Sequence, residues 1–491
     1  MTNFKVRSLL AAVSGALLLS AGGTAMADST DDIVNALIAK GVLTEEEGAL
    51  LMKGREGEKE AAAKKKETAI SAGYKDGIVF SSGDGKTSMA INGRVHADYR
   101  AFNYDEDDNG SAGLSSNGAD TFDIRRARLG AKVKFLDYYE AEVVANLSGG
   151  STTMDVAYLN ISWFKNAQLR FGQFKMPFSL EQLTSSNNID FVERSFVDAY
   201  VPAKEVGAMM HGAPFTGFTY GVAASTGRGI NSAENDVRVD DVDLIGRATI
   251  NFAEIMGDKN MVLHAGLAAA KGDISKGDAA AAFGGNRSTE ARGASFFSAP
   301  VVNTPAGADA SIDRTRVGLE GAAAYGPFKL QAQYLTSSFD FDTATRGYDV
   351  DINTWYAEAL WTLTGETHAS RYKGGAFGAL KPTNNFDPVK FTGGAWELGL
   401  RYSKFDASDF NTIGLRAGAG QDGQVGTGAS RFSEANSWTM GVKFVANPHV
   451  RFMLDFVQTD FENNFGGNVV TVNGKPENDE KALLLRTQFT F

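Results

Sequence analysis

The chain predicts an all-β fold: an antiparallel transmembrane β-barrel of about sixteen strands, with a short helical segment ahead of it. Three observations point there. From Thr87 onward the sequence runs in segments of alternating polarity separated by turns. The last segment, Leu483-Leu484-Leu485-Arg486-Thr487-Gln488-Phe489-Thr490-Phe491, puts Leu483, Leu485, Phe489 and Phe491 on one face and Arg486, Gln488 and Thr490 on the other. Composition agrees, since 55 glycines against 10 prolines, with 33 phenylalanines and 14 tyrosines, favour many short strands and turns over helices. No apolar run after Asp28 is long enough for a transmembrane helix.

At the start, Lys5 and Arg7 precede an apolar stretch, Leu9 to Ala21, and Ala25-Met26-Ala27 has the form of a cleavage site. Residues 1–27 are therefore expected to be an export signal peptide. Its loss removes two basic and no acidic residues, taking the formal charge from −11 to −13. Residues 28–70 are charged and Ala-rich, and are expected to form a helical or coiled-coil-like periplasmic segment. Ile33, Leu37 and Ile38 recur at helical spacing, Gly41 breaks the pattern, and Thr44-Glu45-Glu46-Glu47 reads as a capping box starting a second helix.

The barrel domain is assigned to 71–491. Strands are expected at 88–103, 120–136, 137–149, 151–163, 166–176, 204–213, 215–226, 238–253, 260–270, 311–325, 326–339, 350–364, 392–405, 434–446, 448–461 and 479–491. The first shows the logic: Met89, Ile91, Val95, Ala97 and Tyr99 face one way, and Asn92, Arg94, His96, Asp98 and Arg100 the other. One face meets lipid and the other a wet lumen, while every backbone group pairs between strands. With both ends in the periplasm, short turns should alternate with long external loops. Leu136-Asp137, Tyr325-Gly326-Pro327-Phe328 and Asn447-Pro448 suit the turns; 104–119, 177–203, 271–310, 406–433 and 462–478 suit the loops. Residues 365–391 break the rule, being long where parity demands a short turn.

The same parity places fifteen basic and eight acidic side chains on the wet face, although the whole chain is acidic. Arg94, Arg126, Arg128, Lys132, Arg170, Arg314 and Arg316 are among the basic ones. Arginine suits oxyanions because its planar fork gives two hydrogen bonds to two oxygens. Inward arginines can equally pair with inward carboxylates and leave a neutral wall.

Other patterns exclude alternatives. The chain has no cysteine, so disulfides, thiolate metal sites and cysteine nucleophiles are absent. Gly83-Asp84-Gly85-Lys86-Thr87 hints at a phosphate loop, but the first glycine of that motif would fall at Phe80. Asp105-Glu106-Asp107-Asp108-Asn109-Gly110 begins like a calcium loop, yet its twelfth position is Ser116. The five histidines form no HxxxH pair, and no serine sits in a nucleophile elbow. An enzyme, a cofactor, a metal or a nucleic-acid partner is therefore not expected.

The terminal Phe behind Phe489 resembles the closing strand of outer-membrane barrels. Further stretches are similar to the phosphate-selective porin O/P family: Asp123-Ile124-Arg125-Arg126-Ala127-Arg128-Leu129-Gly130, Leu169-Arg170-Phe171-Gly172-Gln173-Phe174-Lys175-Met176-Pro177-Phe178, Phe191-Val192-Glu193-Arg194-Ser195, and Gly394-Ala395-Trp396-Glu397-Leu398-Gly399-Leu400-Arg401-Tyr402-Ser403. They occur in family order, over about Ser71 to Phe491. The resemblance implies a homotrimeric channel in outer-membrane lipid that passes inorganic anions such as phosphate. It implies that 177–203 is a constriction loop and that 365–391 folds into the lumen. It also implies an anion site using Arg125 and Arg126, with Ser185, Ser186, Arg194 and Lys204 from the constriction loop. Pro202-Ala203-Lys204-Glu205 departs from the family, which often has two adjacent basic residues there; a Glu facing the constriction would oppose anions. A general porin for small hydrophilic solutes and a plugged structural barrel remain alternative readings.

Overall fold

The structure, a computed structural model, describes residues 29–491 apart from 75–76, 104–119, 231–241, 276–285, 299–300, 303–310, 343–346, 413–422, 425–431, 465–470, 473–474 and 477. The expected signal peptide and the acidic stretch 105–110 lie outside the described residues. The N-terminal unit contains α1 (Ser29–Ala39) and α2 (Glu45–Thr68). The capping box at its second helix is reciprocal: Glu47 N–H donates to Thr44 Oγ1 (3.2 Å) and Thr44 N–H to Glu47 Oε2 (2.9 Å). Gly83–Thr87 is a turn, with Gly85 at φ 72° and its N–H donating to Ser82 O.

Sixteen antiparallel strands close into a barrel. They are β1 (Ser88–Asn103), β2 (Thr121–Phe135), β3 (Tyr139–Asn146), β4 (Thr153–Ile161), β5 (Gln168–Lys175), β6 (Lys204–Gly212), β7 (Phe218–Ser225), β8 (Asp243–Asn251), β9 (Met261–Ser275), β10 (Ser311–Tyr325), β11 (Phe328–Asp342), β12 (Gly347–Thr362), β13 (Ala395–Asp406), β14 (Phe432–Asn447), β15 (Val450–Asn464) and β16 (Asp479–Thr490). Each expected strand has its counterpart, with ends shifted by a few residues. Closure is made by β16 on β1, where Leu485 faces Tyr99. The terminal residue completes it: Gly93 N–H donates to Phe491 O (2.9 Å) and Phe491 N–H to Gly93 O (3.1 Å). Glycine at 93 leaves room for the terminal ring, since a Cβ would sit 2.5 Å from the Phe491 ring. As expected, Leu483, Leu485 and Phe489 are exposed on the outer face, while Arg486 and Gln488 are buried inside.

The wall is uneven in height. β3 to β8 are 8 or 9 residues long, whereas the remaining strands are 12 to 16.

Barrels of this strand number leave an aqueous bore, but here the bore is largely filled. Three segments enter it: 176–203 between β5 and β6, 286–298 between β9 and β10, and 368–380 between β12 and β13. The second corrects the expectation that 271–310 is simply an external loop. Its Phe296 and Phe297 are fully buried against Phe196, Phe405, Phe410 and Phe461. A local signal exists on β11, whose polarity inverts near its outer end: Leu335, Phe339 and Phe341 are buried inside while Asp340 and Asp342 are exposed. Lipid-facing parity would demand the opposite, so these residues mark where apolar chain packs inside the barrel. The third segment bears out only part of its expectation. Residues 368–380 go inward, with Phe377 packed on Leu180, Val262 and Ala324, but 384–394 do not.

Candidate functional site

The segment after β5 crosses the lumen and is gripped along its length. It starts at Ser179, whose φ of 62° and side-chain bond from Gln182 N–H begin a short helical turn, Leu180–Leu183. Leu180 N–H donates to Glu320 Oε2 (2.7 Å), Glu181 N–H to Gln333 Oε1 (2.8 Å) and Val192 N–H to Asp455 Oδ2 (2.6 Å). Phe191 fills a notch made by Gly399 and Gly441, which face each other on β13 and β14; a Cβ at either would come within 2.9 Å of its ring. Arg401 lies over that ring (4.8 Å) and donates to Glu193 O (3.1 Å). Thus Phe191–Ser195 and Gly394–Ser403, two stretches distant in sequence, are the two halves of one contact.

Beside this loop remains a cavity of about 960 Å³, bounded mainly by β2 to β7. Among the described residues ten basic side chains line it, Arg94, Arg125, Arg126, Arg128, Lys165, Arg170, Lys175, Arg194, Lys204 and Arg247, with only Glu142 and Asp155 as carboxylates. Arg125 is there against its parity. His96 pairs with Arg126 and Ala97 with Ile124, so Arg125 is the extra residue of a β-bulge. The bulge turns Arg125 and Arg126 to the same side. Arg125 is then held by Glu193 through two bonds, at 2.7 and 3.2 Å.

Arg126 is different. It is 5 % exposed, and its Nη1 is buried with no hydrogen-bond partner. Among the described residues it has no carboxylate within salt-bridge distance. Arg94 donates to Ser186 Oγ (2.9 Å) rather than to an acid. Lys175 donates to the carbonyls of Gln182, Leu183 (3.2 Å) and Thr184 (3.0 Å), and Arg194 to those of Glu181 (3.2 Å) and Thr184 (3.0 Å). Carbonyl dipoles position such cations without cancelling their charge, although Arg194 also has Asp198 at 3.6 Å. Arg170 stacks on Tyr158, 4.4 Å from the ring centroid.

Of the residues singled out from sequence, Arg94, Arg125, Arg126, Arg128, Arg170, Ser185, Ser186, Arg194 and Lys204 converge on this cavity. Three do not. Lys132 pairs with Glu140 (2.9 Å), and Arg314 and Arg316 are both held by Asp243, Arg314 at 2.8 Å. Parity places a side chain inside but cannot say at which height or beside which acid. The sequence left open whether Glu205 faces the constriction, and its partners decide that it does not. Glu205 is buried, accepts from Ser225 Oγ and Gly227 N–H, and is not among the cavity-lining residues. Lys175 was missed as a site residue although it stands in a family-like stretch. Glu181, Asp190 and Glu290, which pair with the far wall, and Glu193, which pairs with Arg125, Arg100 and Arg486, were missed because loop residues have no parity to read.

Among loop carboxylates burial and pairing compete. Burial alone would raise Glu193, but Arg125, Arg486 and Arg126 outweigh it and hold it well below the usual range. Glu181 is pushed up to about 7 by burial, which Arg401, 3.7 Å away, only partly offsets, and Asp198 adds to the rise. A carboxyl with a raised folded value stabilises the fold most when protonated. Its contribution is present at low pH and shrinks as pH climbs from the unfolded value, about 4.3, toward 7. Open-channel noise in planar bilayers is therefore expected to grow between pH 5 and 7. Glu181→Gln should flatten that dependence; the same slope in the variant would show that another group titrates.

The chain was compared with known proteins. Residues 89–491 match the family described as phosphate-selective porin O and P. Porin O of Pseudomonas aeruginosa is 27% identical over 440 residues, covering 85% of this chain and 91% of that protein. Among solved structures, the outer-membrane channel DcaP of Acinetobacter baumannii matches with a TM-score of 0.49 and 10% identity, over 84% of this chain and 99% of that one. An anion-selective porin from Comamonas acidovorans matches with a TM-score of 0.46 and 13% identity, over 82% and 100%. With its closed sixteen-stranded barrel and a match over most of its length, the chain belongs to the phosphate-selective porin O and P family and is an outer-membrane porin.

Proposed function

We propose that this porin is a water-filled channel for passive uptake of small anions, with phosphate or polyphosphate among its solutes. The observation that carries the reading is the cavity beside the constriction loop, where ten basic side chains meet two acidic ones. A row of donors replaces the shed hydration of an oxyanion, and several weak positions let it leave again. At physiological salt the screening length is about 8 Å, so these groups govern permeation more than the acidic total does. A general porin would need the lining cations to be neutralised. Arg125, Arg128, Lys204, Arg247 and Arg194 each have a carboxylate partner, while Arg94, Arg126, Arg170 and Lys175 have none among the described residues. Reversal potentials in a potassium chloride gradient test the reading: chloride preference with saturable block by inorganic phosphate is expected, and cation preference would overturn it.

The homotrimer is part of the same proposal and is supported by the uneven wall. A strand of eight residues reaches about 27 Å, or about 21 Å at a tilt near 40°, short of the roughly 25 Å apolar band. The low wall of β3 to β8 still exposes Val143, Leu159, Phe171, Met210 and Val222 outward. Contact with other copies would cover these side chains where the wall cannot span lipid. Light scattering after mild extraction is expected to give a trimer that heat dissociates. A monomer under those conditions would remove this part and leave the channel reading standing.

A further inference from the structure

The connection between β12 and β13 turns both ways. Residues 368–380 enter the lumen, whereas 384–394 form a finger on the outer side of the rim. The finger is braced: Phe386 N–H donates to Ala446 O (2.7 Å), Gly394 N–H to Asn384 O (2.8 Å) and Asp387 N–H to Thr392 O (2.8 Å). Inside that bridge, Asp387 Oδ1 accepts from the N–H groups of Val389 (2.9 Å) and Lys390 (3.2 Å). At its base, Gly394 (φ 78°) lies so close to the wall that a Cβ would be 2.5 Å from the Phe444 ring.

This rigid turn presents apolar side chains away from the protein. Val389 is 89% exposed and Phe391 83%. Phe391 also holds φ at 52°, a left-handed conformation that costs a bulky residue free energy. Phe386 packs edge-on against Phe444 (5.2 Å) and Phe391 (5.8 Å), and Phe444 meets Trp396 (4.5 Å) and Phe452 (6.4 Å). Trp396, Phe444 and Phe452 face outward near the periplasmic ends of β13, β14 and β15, where barrels carry an aromatic girdle. The finger thus continues the lipid-facing surface. Those three strands are 12, 16 and 15 residues long and belong to the tall wall, which spans the bilayer unaided. Lys390, 76% exposed in its side chain and 3.8 Å from Asp387, stands between the two apolar residues, as a partner for anionic headgroups.

We propose that residues 386–391 are a membrane hook that seats Val389 and Phe391 in the periplasmic leaflet of the outer membrane, with Lys390 at the level of the lipid phosphates. The absence of native cysteines makes the test clean. Val389→Cys and, as a control on another periplasmic turn, Lys259→Cys are each labelled with a polarity-sensitive fluorophore. The full-length proteins are then reconstituted in phosphatidylethanolamine–phosphatidylglycerol vesicles, with and without brominated acyl chains. The label at 389 is expected to emit at shorter wavelength and to be quenched severalfold more by brominated chains than the label at 259, and less by aqueous iodide. Equal iodide quenching at both sites with no effect of brominated lipid would overturn the proposal. So would protection of 389 from both quenchers, which would mean that protein covers the finger. Val389→Ser with Phe391→Ser should leave conductance and selectivity unchanged, separating this proposal from the channel reading.

Discussion

Replacing Arg126 by Glu is expected to move the reversal potential in a potassium chloride gradient toward the potassium value and to remove saturable block of chloride current by phosphate. Arg126 is the lining arginine whose Nη1 is buried without a partner, beside Arg125 and Arg194. Its charge is therefore available to a passing ion. Reversing it replaces attraction with repulsion; at 4 Å and an effective dielectric of 20 each such interaction is about 4 kcal/mol before solvation. The new carboxylate would also draw Arg125 and Arg194 to itself, so the loss exceeds one charge. Arg126→Gln should abolish the block yet keep anion preference, because the other lining cations remain. Arg125→Glu is a different experiment, since it sets a carboxylate against Glu193 and loosens the loop. If Arg126→Glu leaves the reversal potential where it was, the basic row is a neutral wall and the anion reading fails.

Asp190→Ala should give the second large effect, by releasing the constriction. Asp190 is the common acceptor for Lys329 (2.5 Å) and Arg371 (3.0 Å), with Lys443 at 3.9 Å. It thereby ties the external loop to the wall and to the segment inserted from the periplasm. Without it Lys329, Arg371, Lys443 and Arg451 share only Glu358 and Glu397 among the described residues. Removing one partner from such a buried cluster typically costs about 3–5 kcal/mol. The strand ladder is untouched, so the barrel should still run as a heat-modifiable band while conductance rises and becomes noisy. Conductance and noise equal to the parent would show that the ion cluster does not hold the loop. Burial opposes ionisation of Asp190, but the three cations outweigh it and keep it well below the usual carboxylate range. A lowered value means the tie is fully present above the unfolded value of about 3.9 and is lost only as pH falls through the folded one. Acid alone should therefore mimic the variant only at pH well under 4.

Strand number, strand ends and the inward set of side chains were legible in the sequence because alternation has a period of two residues and needs no partner to be read. The closing role of the last strand was legible for the same reason, in Leu485, Arg486 and Phe489. The local reading stopped at irregularities. Arg125 lies on the lipid-facing parity, and only the bulge opposite His96 and Ala97 brings it inside. Glu205 invites a place in the constriction by its neighbour Lys204, but Ser225 and Gly227 draw it away. The count of fifteen inward basic against eight acidic residues left out Asp155, Glu205 and Glu480, and Arg125, Lys175 and Lys204, which the structure also turns inward, and it was silent as to place. Neutralisation depends on distance in space, as with Arg486 and Asp98, which are 388 residues apart and 2.7 Å from each other. Glu181, Asp190 and Glu290 reach the far wall, and Glu193 reaches Arg125, only because their segments fold into the lumen and are pinned there. The sequence by itself determined a barrel with an abundance of inward cations. The tertiary structure decided that Arg94, Arg126, Arg170 and Lys175 are left without a carboxylate partner among the described residues, because Glu193 is taken by Arg125, Arg100 and Arg486, Asp155 by Arg128 and Lys204, and the other inserted carboxylates by the opposite wall.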